Sequence, residues 1–110
     1  MLKSTLYVGL FDKDSKQQII ETGFAEKICQ ELIGDCSIGL INGYYTHEDG
    51  SKVVEPSLRI EILFNTKERI KAICEQIKIL LNQESVAVQY EEIEGELVWV
   101  KSLALFEYPI

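Results

Sequence analysis

Residues 42–64 constrain the fold more than any other stretch, because they spell out two strands and the turn between them. Asp49-Gly50 is the turn: Gly accepts the positive φ of a tight reversal, and Asp can bond the backbone just beyond itself. On the outgoing arm Leu58, Ile60, Ile62 and Phe64 alternate with Ser57, Arg59, Glu61 and Leu63, so one face is apolar and the other mixed. Pro56 has no N–H for a sheet ladder, which assigns it to an edge, a strand start or a bulge.

The rest of the order follows from apolar spacing. Residues 5–11 alternate as a first strand. Ile20, Phe24, Ile28, Cys29, Leu32 and Ile33 recur at helical spacing, with Thr22 as N-cap and Gly34 as the left-handed stop, giving a helix over 22–33. Residues 36–46 and 52–64 are the hairpin strands. Asn65 and Glu68 have capping-box spacing ahead of the stripe Ile70, Ile73, Cys74, Ile77 and Leu81, which predicts a second helix over 66–81. Residues 85–93 read as a fourth strand and 97–106 as a fifth. Right-handed crossovers turn this order into an α+β, ferredoxin-like β-α-β-β-α-β domain over 1–110, an antiparallel sheet with both helices on one face and a C-terminal strand or interface segment over 97–110. Tyr7, Phe11, Ile41, Arg59, Glu61, Leu63, Ala87 and Gln89 then fall on the helix-free face, which is apolar enough to need a cover and predicts a homo-oligomer.

Charge narrows the partners. With 18 acidic residues against 11 basic ones the net charge is −7, which disfavours polymeric nucleic acid and anionic membranes but not a small anion held by local cations. The chain contains no apolar run of membrane-spanning length and begins without a signal-peptide pattern, so a cytoplasmic protein is expected. Cys29, Cys36 and Cys74 include no C-x-x-C pair, and Cys29 and Cys74 sit on the helical apolar stripes, so they read as core thiols.

No phosphate-loop, dinucleotide, nucleophile-elbow or zinc-protease motif occurs, so no catalytic residue, cofactor or metal is assigned. The one histidine, His47, lies with Glu48 and Asp49 at the hairpin tip and reads as a solvated turn residue. Asp12-Lys13-Asp14 reads as a loop rather than a Mg²⁺ site. Binding residues are easier to nominate: Tyr7, Tyr44, Tyr45 and Trp99 offer faces for stacking, while Arg59, Lys101 and Glu55 offer directed charge, a combination suited to a nucleotide-like anion.

Residues 6–10 (Leu-Tyr-Val-Gly-Leu), the block from Gly43-Tyr44 through Asp49-Gly50 to Pro56-Ser57, and residues 83–86 (Gln-Glu-Ser-Val) together resemble a family of small bacterial and mobile-element proteins classed as a domain of unknown function. The resemblance implies a ferredoxin-like fold and carries over no catalytic residue; residues 91–110 extend beyond it. In general shape the chain is also similar to PII-type signalling proteins, trimers that bind nucleotides between subunits, an analogy of fold alone. These features make the leading expectation a non-enzymatic oligomer that senses or sequesters a nucleotide-like anion, such as a phage or prophage protein that takes up a nucleotide immune signal. The alternative is a protein-interaction module docking a partner through the open face and the C-terminal segment, and the third reading is a small enzyme using Asp12, Asp14 or His47.

Overall fold

The computed structural model describes residues 1–99 and runs β1 (Leu2–Gly9), α1 (Thr22–Ile33), β2 (Ser37–Thr46), β3 (Lys52–Asn65), α2 (Lys67–Leu80), β4 (Ala87–Glu92). The strands form one antiparallel sheet in the order β2-β3-β1-β4. Each helical crossover leaves a gap of one strand, filled by β3 on one side and β1 on the other, which is the ferredoxin-like arrangement expected from the pattern. Leu97–Trp99 carry no strand, and the remainder of the expected fifth strand lies outside the described residues.

Leu6 and Val8 of β1 and Leu58, Ile60 and Ile62 of β3 form one buried cluster with Ala25, Cys29 and Ile33 of α1 and Ile70, Ile73, Cys74 and Ile77 of α2. The alternation in β1 and β3 therefore assigns the opposite face to Tyr7, Gly9, Ser57, Arg59 and Glu61. One expected core residue lies elsewhere. Phe24 is 58% exposed, because the buried line on α1 runs through Ala25, Cys29 and Ile33, and Phe24 is about 100° around the helix from it.

The helix starts also differ by a residue from the sequence expectation. Thr22 is committed elsewhere, its Oγ1 accepting from Gln18 Nε2 at 2.9 Å, and Glu21 stands at the N-cap of α1 without a side-chain cap bond. At α2 the cap is Thr66, whose Oγ1 accepts from the Arg69 N–H at 3.3 Å, while Asn65 Oδ1 bonds only the Thr66 N–H. Gly34 does end α1, at φ +86°, donating its N–H to the Gln30 carbonyl.

Pro56 lies within β3, an inner strand, yet its position is locally an edge. The last pair between β1 and β3 is Gly9↔Ser57, followed by one bond from the Leu10 N–H to the Pro56 carbonyl at 3.0 Å, so from Glu55 toward the turn β3 is laddered only to β2. The hairpin runs on as a two-stranded arm closed by the turn at 47–51, where the His47 N–H bonds the Ser51 carbonyl and Gly50 takes φ +87°.

Candidate functional site

Three of the cross-strand rows on the helix-free face shape the site. Gly39, Arg59, Tyr7 and Ala87 form one, Ile41, Ser57 and Gly9 the next, and Gly43 and Glu55 the third. Two glycines shape the surface. A Cβ on Gly9 would stand 2.6 Å from Glu55 Cδ, and one on Gly43 would collide with the Tyr45 ring and Ser57 Oγ. Their missing side chains let the Glu55 carboxylate and the Tyr45 ring lie down on the sheet. Glu55 is only 3% exposed; its Oε2 accepts the Phe11 N–H at 2.7 Å, and no cation pairs with it among the described residues.

The hairpin arm reaches toward the segment that leads into β4. There His47 Nδ1 meets Glu84 Oε2 at 3.0 Å, and the Glu48 N–H contacts both Glu84 oxygens at 3.3 Å. The Glu84 carboxyl is held below its ordinary range, chiefly by the hydrogen bond from His47, with the Glu48 N–H adding to it. His47 is therefore no solvated turn residue: its side chain is 8% exposed. Glu84 was not nominated from the sequence, and its place in the 83–86 stretch assigns it no role; only the fold brings positions 47 and 84 together. Between the arm and the sheet lies a cavity of about 100 Å³ walled by Tyr7, Tyr45, His47, Glu55, Gln83 and Glu84.

The structure thus gathers Tyr7, Tyr45 and Glu55 from the nominated binding residues, with Arg59 in the adjoining row. Arg59 is occupied: its Nη2 lies 2.6 Å from Glu61 Oε1, and the Tyr7 side chain and then the Glu61 charge raise its pKa. Buried Glu55 together with Glu84 makes the cavity acidic, so the site is poorly suited to the anion that Arg59 suggested. Tyr44 is on the other side of the arm and 77% exposed, Trp99 is 82% exposed, and Lys101 lies outside the described residues. Asp12 is a turn residue as read: its Oδ2 accepts the N–H groups of Asp14 and Ser15, and its Oδ1 accepts from Asn82 Nδ2.

A larger cavity, about 590 Å³, opens at the opposite end of the sheet between residues 33–37 and 61–65. Two of its charged groups are engaged, Arg69 Nη2 on the Ile33 carbonyl at 2.7 Å and Glu61 on Arg59. Reactive groups converge instead on the smaller cavity. No helix among the described residues is long and apolar enough to cross a membrane.

The architecture and this open face define a ferredoxin-like α+β protein, and that fold is shared with solved enzymes. A phage SAM lyase in complex with S-methyl-5′-thioadenosine matches at 24% identity and a TM-score of 0.64, over 83% of this chain and 80% of that one. A phage SAM lyase in the apo state matches at 24% identity and a TM-score of 0.61, over 82% and 78%. No family model and no curated protein matches, so the motif likeness to a mobile-element family has no counterpart there, whereas these two structural neighbours are phage proteins. The comparison corrects the leading expectation. Both solved structures are of enzymes, and that finding runs against the expectation of a non-enzymatic sequestering protein and its interaction-module alternative.

Proposed function

We propose that this protein is a small lyase that cleaves SAM on its helix-free sheet face. The observation that carries the proposal is the buried Glu55 carboxylate, without a cationic partner among the described residues, in a cavity walled by Tyr7 and Tyr45. A carboxylate and aromatic faces in a water-poor site favour a permanent cation without a proton to lose, and the sulfonium of SAM is such a group. The fold shared with phage SAM lyases supports the same substrate.

Taken as the product, the S-methyl-5′-thioadenosine held by one neighbour constrains the reaction. S-methyl-5′-thioadenosine keeps the methyl and adenosyl substituents of sulfur, so the bond that breaks joins sulfur to the aminocarboxypropyl chain. The electron pair stays on sulfur, which becomes a neutral thioether. The γ-carbon regains a bonding pair either from the substrate's own carboxylate, closing a lactone, or from a β-C–H bond whose proton passes to Glu55, leaving an alkene. Neither course consumes water. In both, sulfur loses its charge, so Glu55 holds the substrate more strongly than the thioether product and favours its release.

The cavity of one chain is smaller than the roughly 300 Å³ at which small-molecule sites begin. A second copy laid on the open face supplies the missing walls, in keeping with the homo-oligomer expected from the sequence. Incubation with SAM and chromatography of the products tests the proposal. S-methyl-5′-thioadenosine should accumulate, its co-product distinguishing lactone from alkene, and Glu55→Gln should lower kcat/KM by about tenfold or more, the cost of losing a charged partner in a dry site. Unchanged SAM, or full activity in Glu55→Gln, refutes it.

A further inference from the structure

Among the described residues, buried side-chain polar atoms without a hydrogen-bond partner include His47 Nε2, and His47 is one of the residues that line the cavity. The partner on the other nitrogen decides what Nε2 can do. Because Nδ1 faces the Glu84 carboxylate at 3.0 Å, it carries the N–H, and in the neutral ring the lone pair is on Nε2. Glu84 is itself steadied by the Glu48 N–H, so ring and carboxylate orient each other from two separate segments. The result is an acceptor held in one tautomer and one direction beside the cavity.

We infer that His47 recognises ribose, its Nε2 accepting a hydrogen bond from a sugar hydroxyl of the bound nucleoside. The inference rests on the SAM reading and adds a residue role to it. Two residues with acceptors of different character line one space: Glu55, a carboxylate without a cationic partner among the described residues, and His47, whose Nε2 is an acceptor in the neutral ring and has no donor there. A cation belongs with the first and a neutral hydroxyl with the second. SAM presents both groups close together, since its sulfur is bonded to C5′ and the 3′-hydroxyl-bearing carbon is only two carbons further on.

The test compares S-methyl-5′-thioadenosine with its 2′,3′-dideoxy analogue by calorimetry at pH 8, on the full chain and on His47→Asn. Asparagine keeps a donor near Nδ1 for Glu84 and lacks the Nε2 acceptor. Wild type should bind the dideoxy compound more weakly, and His47→Asn should abolish about 3- to 10-fold of that discrimination, the value of one neutral hydrogen bond. Equal binding of the two compounds by wild type, or full discrimination by His47→Asn, overturns the inference and leaves the SAM reading intact. A wild type that binds neither overturns both. Should His47→Asn not fold, the ¹⁵N signal of the only histidine decides alone: saturation with S-methyl-5′-thioadenosine should move Nε2 toward a hydrogen-bonded shift, and an unmoved signal overturns the inference.

Discussion

Gly9→Ala is the sharpest probe of how the sheet makes room for the site. The positive-φ glycines are Gly34 and Gly50, so Gly9 carries no backbone conformation that alanine would resist. The new methyl would instead stand 2.6 Å from Glu55 Cδ and closer still to Oε1, and must displace the carboxylate. That breaks the 2.7 Å bond from the Phe11 N–H to Oε2, a hydrogen bond to a charged group whose loss costs about 1.5–3 kcal/mol. Glu55→Ala loses the same bond and should cost about as much. In the double variant nothing remains for the methyl to strike, so Gly9→Ala should add less than about 0.5 kcal/mol there, leaving a coupling of about 1.5–3 kcal/mol. Urea unfolding of the four proteins followed by far-ultraviolet circular dichroism measures this cycle, each single variant shifting the midpoint by roughly 1 M. Additive effects would refute the claim that Gly9 exists to seat Glu55.

Further outcomes follow from the core and from the hairpin tip. Ile60 is fully buried on β3, so Ile60→Ala should cost about 2–5 kcal/mol in the same unfolding assay, whereas Ile79→Ala, at a site 77% exposed, should stay within about 0.5 kcal/mol. Glu84 titrates below its ordinary value of 4.5 because His47 donates to it, so its ionised form stabilises the fold above that pH, and the contribution is lost as pH falls through the lowered pKa. Glu84→Gln should therefore lose less stability on acidification below 4.5 than wild type; equal acid sensitivity of the two would count against the His47–Glu84 pair.

Much of the fold was legible because the pattern and the physics agree locally. The period-2 alternation through Leu58, Ile60 and Ile62 and the 3.6-period stripe through Ile70, Ile73, Cys74 and Ile77 each belong to one element, and the Asp49-Gly50 turn is chemistry within four residues. Capping was less legible, since Thr22 and Asn65 each have the right side chain and a competing neighbour: Gln18 takes the first, and Thr66 stands one residue closer to the helix than the second. The site was half legible. Tyr7, Tyr45 and Glu55 stood out by type, but the role of Gly9 depends on a side chain 46 residues away, and the burial of His47 depends on Glu84, 37 residues away. A long-range pair between two ordinary residues leaves no mark on either. Arg59 is the opposite case: its partner Glu61 is two residues on along β3 and on the same face, so the pairing follows from the strand's alternation.

The arm of the hairpin has a further consequence for how the molecule breathes. From Gly43↔Glu55 to Thr46↔Lys52 its strands are laddered to each other and not to β1, and a two-stranded ribbon is marginal by itself. What moors it are two side chains, Glu55 on the Phe11 N–H and His47 on Glu84. Amide hydrogens of the arm should therefore exchange through local opening at far lower free energy than those of the Leu58–Ile62 ladder, which open only with global unfolding. Tyr45, His47 and Glu55 all ride on that arm. Local opening of the arm would part three of the side chains that wall the cavity while the interior stays folded.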